Sequence, residues 1–571
     1  MDRDGSALII ARARTAARSA GPAVVRAAPV VPIAFLAVFF VWPVVRIVGT
    51  GLAPEGTPAL GAFVEVLTDP ITARVAWFTL WQAVASTVLT VVIALPGAYA
   101  FSRLKFRGAG IVSAGVMIPF VLPTVVVASA FLALLGPRSP INDMLALVPG
   151  MPDVSVDLRR TVTAILIAHV FFNYAVIVRT VGGLWAHLDP RMEAAARLLG
   201  ASRWRAFSDV TLPLLRPAIA ASAAIVFLFT FTSFGVVLLL GGPQRATIEV
   251  EIHRATTQLL DLPMAAALAM LQLTAVVAAL AIYGRLARRR TTQSLVATAI
   301  GVRRPRTRAE RAFLAANLAV IALLLAAPLL VLIERSFATE TGWDTDHYRA
   351  LFTPDASVLS IAPWQAIRNT IVFACGAALI ALIVGGIAAT AATRPDSRGA
   401  QLLDRALMVP LGTSAVTVGF GFLLAFRHPP LDVFEAVWLV PVAQALIATP
   451  FVVRTLLPVL RSIDPRLRDA AAVLGATPGQ VWREVDLPIV SRAALVAAGF
   501  AFAVSAGEFG ATVFIARSDW PTMPVAIFRL LGRPGITHFG QAMAMSTLLM
   551  AVTAAVIIAI DRVRVGQVGR F

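Results

Sequence analysis

About twelve stretches of roughly twenty consecutive apolar residues run through this chain, and that is the length a helix needs to cross a bilayer. Backbone N–H and C=O groups in hydrocarbon must be satisfied within the protein, so only helices or a closed barrel can span it. Barrel strands alternate polar and apolar residues, and these runs do not. The expected fold class is therefore an all-α membrane protein. Composition agrees, because 58% of the 571 residues are hydrophobic and 14% charged, about half the charge of an ordinary soluble chain. A secreted enzyme, a fibre and a disordered chain are excluded. The net charge of +18 lies in arginine clusters between the runs rather than on one soluble face. It therefore reports topology and argues against nucleic acid as a partner.

The runs fall near 28–48, 75–101, 109–135, 161–181, 217–240 and 264–283, then 312–333, 368–392, 403–425, 433–457, 493–515 and 540–560. That is six, a basic linker, and six more. The expected organisation is a basic tail 1–27, a first half 28–290, a linker 291–311 and a second half 312–571. The first run is too long for the apolar core of a signal peptide and no small-residue cleavage site follows it, so it is expected to persist as a helix. With the tail inside, the inner loops hold more than twice as many Lys and Arg as the outer ones. The positive-inside rule then puts both termini in the cytoplasm.

The halves repeat one another without gaps at an offset of 275 residues. Val178-Arg179-Thr180 recurs as Val453-Arg454-Thr455, Asp189-Pro190-Arg191 as Asp464-Pro465-Arg466, and Leu212-Pro213 as Leu487-Pro488. Phe234-Gly235 recurs as Phe509-Gly510. Six spans per half give both repeats the same orientation, related by an axis along the membrane normal, with a pathway expected at their interface.

Each half carries a long inner loop of one design, 186–216 and 461–491. Glu193-Ala194-Ala195-Ala196-Arg197-Leu198-Leu199-Gly200 leads to Val210-Thr211-Leu212-Pro213, and Asp469-Ala470-Ala471-Ala472-Val473-Leu474-Gly475 leads to Val485-Asp486-Leu487-Pro488. Alanine-rich stretches favour helix and the glycine permits a sharp exit into a second short helix. The product is a pair of helical brackets that a paired soluble motor can grip. The chain supplies no motor itself: its one lysine, Lys105, follows no glycine-rich loop, and a phosphate-binding P-loop requires one.

These loops resemble those of the permeases of binding-protein-dependent ABC importers, which read E-A-A, three residues, G, nine residues, a β-branched residue, one residue, L-P. Both loops fit from glycine to proline. Asp469 holds the acidic position in the second, whereas Ala194 holds it in the first and Glu193 lies one residue early. The resemblance implies a type I importer permease fold with about twelve membrane helices. It implies an inner-membrane location, two copies of an ABC ATPase carrying ATP and Mg, and an extracytoplasmic substrate-binding protein. No cofactor is implied in this chain. The ATPase-docking residues would be Glu193, Ala195, Leu199, Gly200, Leu212 and Pro213, with Asp469, Ala471, Leu474, Gly475, Leu487 and Pro488 in the second loop. The segments 168–173, 232–252 and 507–510 look like thiamine permeases, with ferric-iron permeases the alternative.

Glu508 is the one carboxylate placed well inside an apolar run, where a charge is costly. With Ser233, Phe234 and Phe509 it is a pathway candidate for a cationic substrate, and a bond to backbone or to Arg454 is the structural alternative. Glu249, Glu251 and Asp519, in outer segments that repeat one another, are candidate contacts for the binding protein. His169 reads as core or interfacial and Cys375 as a small buried group. No catalytic residue or metal-ligand cluster stands out. The rival class is an ion-coupled secondary transporter, which would need more intramembrane charge than Glu508 alone.

Overall fold

The computed structural model describes residues 30–53, 60–137, 139–147, 155–288, 302–340, 342–354, 358–393, 410 and 413–564. The basic tail 1–27, most of the linker and part of the expected span 403–425 lie outside them. Among the described residues eleven helices are long and apolar enough to cross a membrane, and two shorter apolar helices, Ala109–Val121 and Ala415–Phe426, accompany them. The only sheet among these residues is a two-stranded hairpin, β1 (Ala338–Thr339) with β2 (Gly342–Trp343).

In chain order the first half gives α1 (Val30–Leu52), α2 (Leu60–Thr68), α3 (Pro70–Arg103), α4 (Ala109–Val121), α5 (Thr124–Leu135), α6 (Pro140–Ala146), α7 (Val162–His187) and α8 (Pro190–Leu198). These are followed by α9 (Arg203–Phe231), α10 (Gly235–Leu240), α11 (Ile248–Arg254) and α12 (Leu262–Arg288). The second half gives α13 (Arg308–Phe337), α14 (Asp346–Arg349), α15 (Pro363–Ala391), α16 (Ala415–Phe426), α17 (Leu439–Ser462) and α18 (Pro465–Val473). It ends with α19 (Gly479–Ala506), α20 (Thr512–Ile515), α21 (Met523–Leu531) and α22 (Ile536–Arg564).

Three expected spans are not single helices. The run 109–135 breaks at Leu122, whose extended backbone is what the following Pro123 demands, so α4 and α5 are separate. The runs 217–240 and 493–515 each break after one long helix, at Thr232–Phe234 and Gly507–Ala511, and restart as α10 and α20. The two breaks are register mates, so both halves interrupt the same helix at the same place in the repeat.

The chain packs as two compact units that cut across the sequence halves. The first comprises residues up to Arg46, Gln365–Thr522 and 555–570; the second comprises Ile47–Trp364 and Met523–Ala554. In the first unit, Phe39 of α1 packs its ring 5.8 Å from Phe426 and 6.4 Å from Trp438, so the opening helix of the first half joins the body of the second. The second unit does the converse. Phe313 of α13 stands edge to face with Tyr99 at 5.6 Å, and Leu314 joins Ala100 and Leu104 in a buried cluster. Ser546 of α22 also donates to Ser129 of α5 at 3.2 Å in that unit.

In the second unit α3 begins at Asp69, whose carboxylate accepts from the Ile71 amide, with Pro70 at the first turn. Its buried polar residues Thr72, Thr79, Gln82, Ser86 and Thr90 recur every three to seven positions and so share one face. That face meets α7 and α9, with Gln82 Nε2 donating to the Thr230 carbonyl at 2.8 Å. At the loop end Arg103 donates to the Leu188 carbonyl at 2.7 Å, tying α3 to the foot of α7. The first unit ties the corresponding helices in the other direction, from Arg461 of α17 to the Ala392 carbonyl after α15 at 3.0 Å.

Candidate functional site

The two brackets are built alike, residue by residue. Each first helix starts at an aspartate: Asp189 accepts from the Arg191 amide and Asp464 from the Arg466 amide, both at 2.9 Å, with a proline at the first helical position. Each ends at a left-handed glycine, Gly200 at φ +92° and Gly475 at φ +86°. There the Ala201 amide bonds back to the Ala196 carbonyl at 3.1 Å and Ala476 to Ala471 at 3.0 Å, which satisfies carbonyls the helix would leave orphaned. Ser202 then caps α9 by accepting from the Arg205 amide, and Gln480 accepts from the Thr477 amide before α19.

The Leu-Pro pair has a structural role visible in both halves. Proline has no N–H to continue the α-helical ladder. Just before it the helix carries one π turn, Phe207–Thr211 and Trp482–Asp486, in which the Leu212 and Leu487 amides reach back five residues to the Phe207 and Trp482 carbonyls. The extra residue lets the helix pass the proline without interruption, so each bracket is fused to a membrane helix, α9 or α19.

The bracket tips are apolar and bare. Leu198 and Leu199 are 89% and 90% exposed, and their counterparts Val473 and Leu474 are 77% and 88% exposed. Trp204 and Trp482 are exposed beside them. Singly exposed leucines are ordinary, whereas adjacent pairs at matched positions of both halves form the kind of surface that a partner covers. Asp469 and Ala195 are exposed; Ala471, Leu212 and Pro213 are half-buried, and Leu487 and Pro488 are exposed.

Glu193, one of the expected docking residues, is partnered within its own bracket. Half-buried, it faces its own bracket and accepts a hydrogen bond from the Thr211 hydroxyl at 3.4 Å.

At the other end of α9, 29 residues long and so about 43 Å from first to last residue, the helix breaks at Ser233. His169 of α7 bridges this break, with Nε2 2.8 Å from Ser233 Oγ and Nδ1 2.8 Å from Ser86 Oγ of α3. One buried imidazole thus ties three elements. Phe234 is buried beside it, and Phe509 is buried at the matched break of the first unit.

Glu508 lies in that second break as a buried cap. Its carboxylate accepts from the Ala511 amide at 2.8 Å, the Thr512 amide at 3.0 Å and the Thr512 hydroxyl. The reading as a bond to backbone therefore describes its environment, and its oxygens are committed to starting α20.

The expected surface contacts Glu249 and Glu251 are instead buried, at 0% and 3% exposure. Gln272 of α12 donates to Glu249 Oε1 at 3.0 Å, Arg254 stands 3.8 Å from Glu251, and the Ile248 amide of the same helix donates to Thr79. Glu249 and the Ile248 amide thus fasten α11 to the membrane helices, while Glu251 pairs within α11 itself. Asp519 is exposed, and the Arg517 guanidinium bonded to it at 2.9 Å holds its carboxyl below the usual carboxylate range. Among the described residues no group of His, Cys, Asp and Glu is arranged to hold a metal ion.

Residues 86–292 match the family described as binding-protein-dependent transport system inner membrane component. Over 499 residues the chain is 31% identical to the thiamine transport system permease protein ThiP of Brucella abortus (strain 2308), covering 86% of this chain and 87% of that one. The chain belongs to the permeases of binding-protein-dependent ABC importers. The same permease from Escherichia coli (strain K12) is 26% identical over 478 residues, 82% of this chain and 85% of that one. A chain from the crystal structure of a bacterial ABC transporter involved in the import of the acidic polysaccharide alginate matches at TM-score 0.40 and 18% identity, over 46% of this permease and 93% of that chain. Membership of that family makes the chain a multi-pass membrane subunit of an inner-membrane transport system.

Sequence reasoning missed two parts of this permease site. Arg468, which is the register mate of Glu193, makes an ion pair inside its bracket with Asp486 at 2.8 Å. The Ser86–His169–Ser233 bridge was also missed. Its only sequence signal is the coincidence of a histidine and two serines inside apolar runs, where each must find a partner.

Proposed function

We propose that this permease imports thiamine delivered by an extracytoplasmic binding protein, driven by a pair of cytoplasmic ABC ATPase subunits on which ATP and Mg are bound. The observation that carries the coupling half of this reading is the pair of register-matched brackets with bare apolar tips, Leu198–Leu199 and Val473–Leu474. Each is continuous with a membrane helix, so closure of a motor around the tips would tilt α9 and α19 as rigid levers. The thiamine half rests on likeness to two thiamine transport permeases over more than four fifths of the chain. Positive charge in the inner loops supports cytoplasmic brackets and termini.

The test is purification of the tagged chain from its native membrane in mild detergent, followed by reconstitution of the recovered complex and uptake of labelled thiamine. Two ATPase subunits per chain and ATP-dependent thiamine uptake are expected, and L199D with L474D should lose the ATPase while the chain stays in the membrane. A chain that purifies without an ATPase and transports on an ion gradient alone would overturn the coupling reading. An active complex that carries ferric ion and ignores thiamine would overturn the substrate.

A further inference from the structure

Within the second unit, α11 and α21 are register mates that meet at one pair of rings. Thr247, Val250, Ile252 and Arg254 recur at Thr522, Val525, Ile527 and Arg529. The helices touch through His253 and Phe528, whose rings stand 6.2 Å apart at 88°, edge to face. These two residues are each other's counterparts at the 275-residue offset. Under a twofold, a residue meets its own mate only where it lies on the axis, because any other residue is separated from its mate by twice its distance from that axis. A twofold between the repeats, which their common orientation implies, would therefore pass between these two rings.

Parallel repeats place their pathway at the repeat interface, around that axis. Whatever occupies the axis blocks the path. Phe234, one residue past the histidine-bridged Ser233, packs its ring 5.5 Å from His253, so the pair is backed by the broken end of α9. That end lies one membrane helix away from the bracket, which puts the rings on the side remote from the ATPase-docking tips.

We propose that His253 and Phe528 form the barrier of the transport pathway on its outer side, and that they part when the path opens. The contact is suited to cyclic breaking, since an edge-to-face ring pair is a weak, non-covalent closure. The linkage is also direct: bracket and π turn at one end of α9, Ser233 and Phe234 at the other, and then His253. A tilt of α9 imposed at Leu199 is delivered at Phe234 and moves His253 off the axis.

The experiment uses the reconstituted complex in two arms. In a C375A background, H253C with F528C is treated with a short bifunctional thiol reagent of the cleavable type. Crosslinking in the resting complex, a fall in ATP-dependent thiamine uptake of more than tenfold, and its return on cleavage are expected. Failure to crosslink, or full uptake by the crosslinked complex, overturns the proposal. The second arm needs no knowledge of the cargo. Leak of a small labelled cation from the proteoliposomes should rise several-fold with H253A/F528A and stay at the parent level with H253F, which keeps a ring. An alanine double variant as tight as the parent overturns the barrier, while a parent that leaks little and carries no thiamine removes only the substrate reading.

Discussion

Arg468 Nε donates to Asp486 Oδ1 at 2.8 Å, and these residues occupy the places that Glu193 and Thr211 hold in the first half, where the hydroxyl donates to the carboxylate at 3.4 Å. One brace, from the first bracket helix to the residue before Leu-Pro, is built twice with the acid on opposite ends. An ion pair between one buried and one partly exposed group contributes about 1 kcal/mol. D486A is therefore expected to loosen the second bracket and leave the first alone. Hydrogen exchange followed by peptide mapping checks this: residues 465–486 should exchange several-fold faster, with 190–211 unchanged. Equal protection in both would show that the pair does not hold the loop.

Gly200 and Gly475 test whether the turn, rather than the space around it, is what matters. No atom lies within 4 Å of an added Cβ at either position, so substitution costs only the left-handed backbone, roughly 1–2 kcal/mol for a residue with a Cβ. G475N, which tolerates that region, should retain most uptake, whereas G475V should lose at least tenfold with membrane levels unchanged. Normal transport by G475V would show that the bracket accepts another exit.

Removing the imidazole of His169 leaves Ser86 and Ser233 without a shared partner in the membrane interior. H169A is expected to lower the stability of the detergent-solubilised chain by about 1–3 kcal/mol, the usual cost of buried polar groups left unmet. H169Q, with one donor and one acceptor on its amide, should recover part of the loss. Thermal unfolding followed by loss of monodisperse protein measures both, and a melting point for H169A equal to the parent's would mean that the bridge carries no load.

Glu508 separates two chemistries cleanly. As a cap for α20 it accepts at both oxygens, of which glutamine keeps one and alanine neither, and loss of a cap costs about 0.5–2 kcal/mol. E508Q should therefore lose part of the parent's stability and keep most of its uptake, while E508A is less stable still and slower. If E508Q abolishes uptake while the protein melts like the parent, the negative charge itself is being used by the substrate.

Much of this architecture could be read from the chain because its two strongest signals are one-dimensional. Apolar run length marks a membrane helix without knowledge of its neighbours, and a constant offset pairs Gly200 with Gly475 and Leu212 with Leu487. What escaped depends on contacts distant in sequence. Glu249 and Glu251 look like a solvated loop because acids interrupt an apolar stretch, and only Gln272, 23 positions on from Glu249, with Thr79 holding the Ile248 amide across the fold, shows how Glu249 is buried. Arg468 resembles ordinary loop charge until Asp486 is brought beside it by the intervening turn. His253 and Phe528 differ in chemistry, so no motif joins them. Their shared offset becomes informative only once the rings are seen to touch. The breaks at Ser233 and Glu508 escaped for a simpler reason, since a helix can stop inside hydrocarbon when side chains and neighbouring helices satisfy the freed backbone.

The exchange of opening helices also dictates an order of assembly. Phe39 finds its ring partners at Phe422, Phe426 and Trp438, all of which leave the ribosome long after the first six spans have been inserted. Until then the Phe39 end of α1 waits in lipid without those rings, while its other end, at Gly51, can already meet Ala266 and Met270 of α12. A fused gene solves this waiting problem by tethering, because the late segment emerges beside the helix that needs it and no search through the membrane is required.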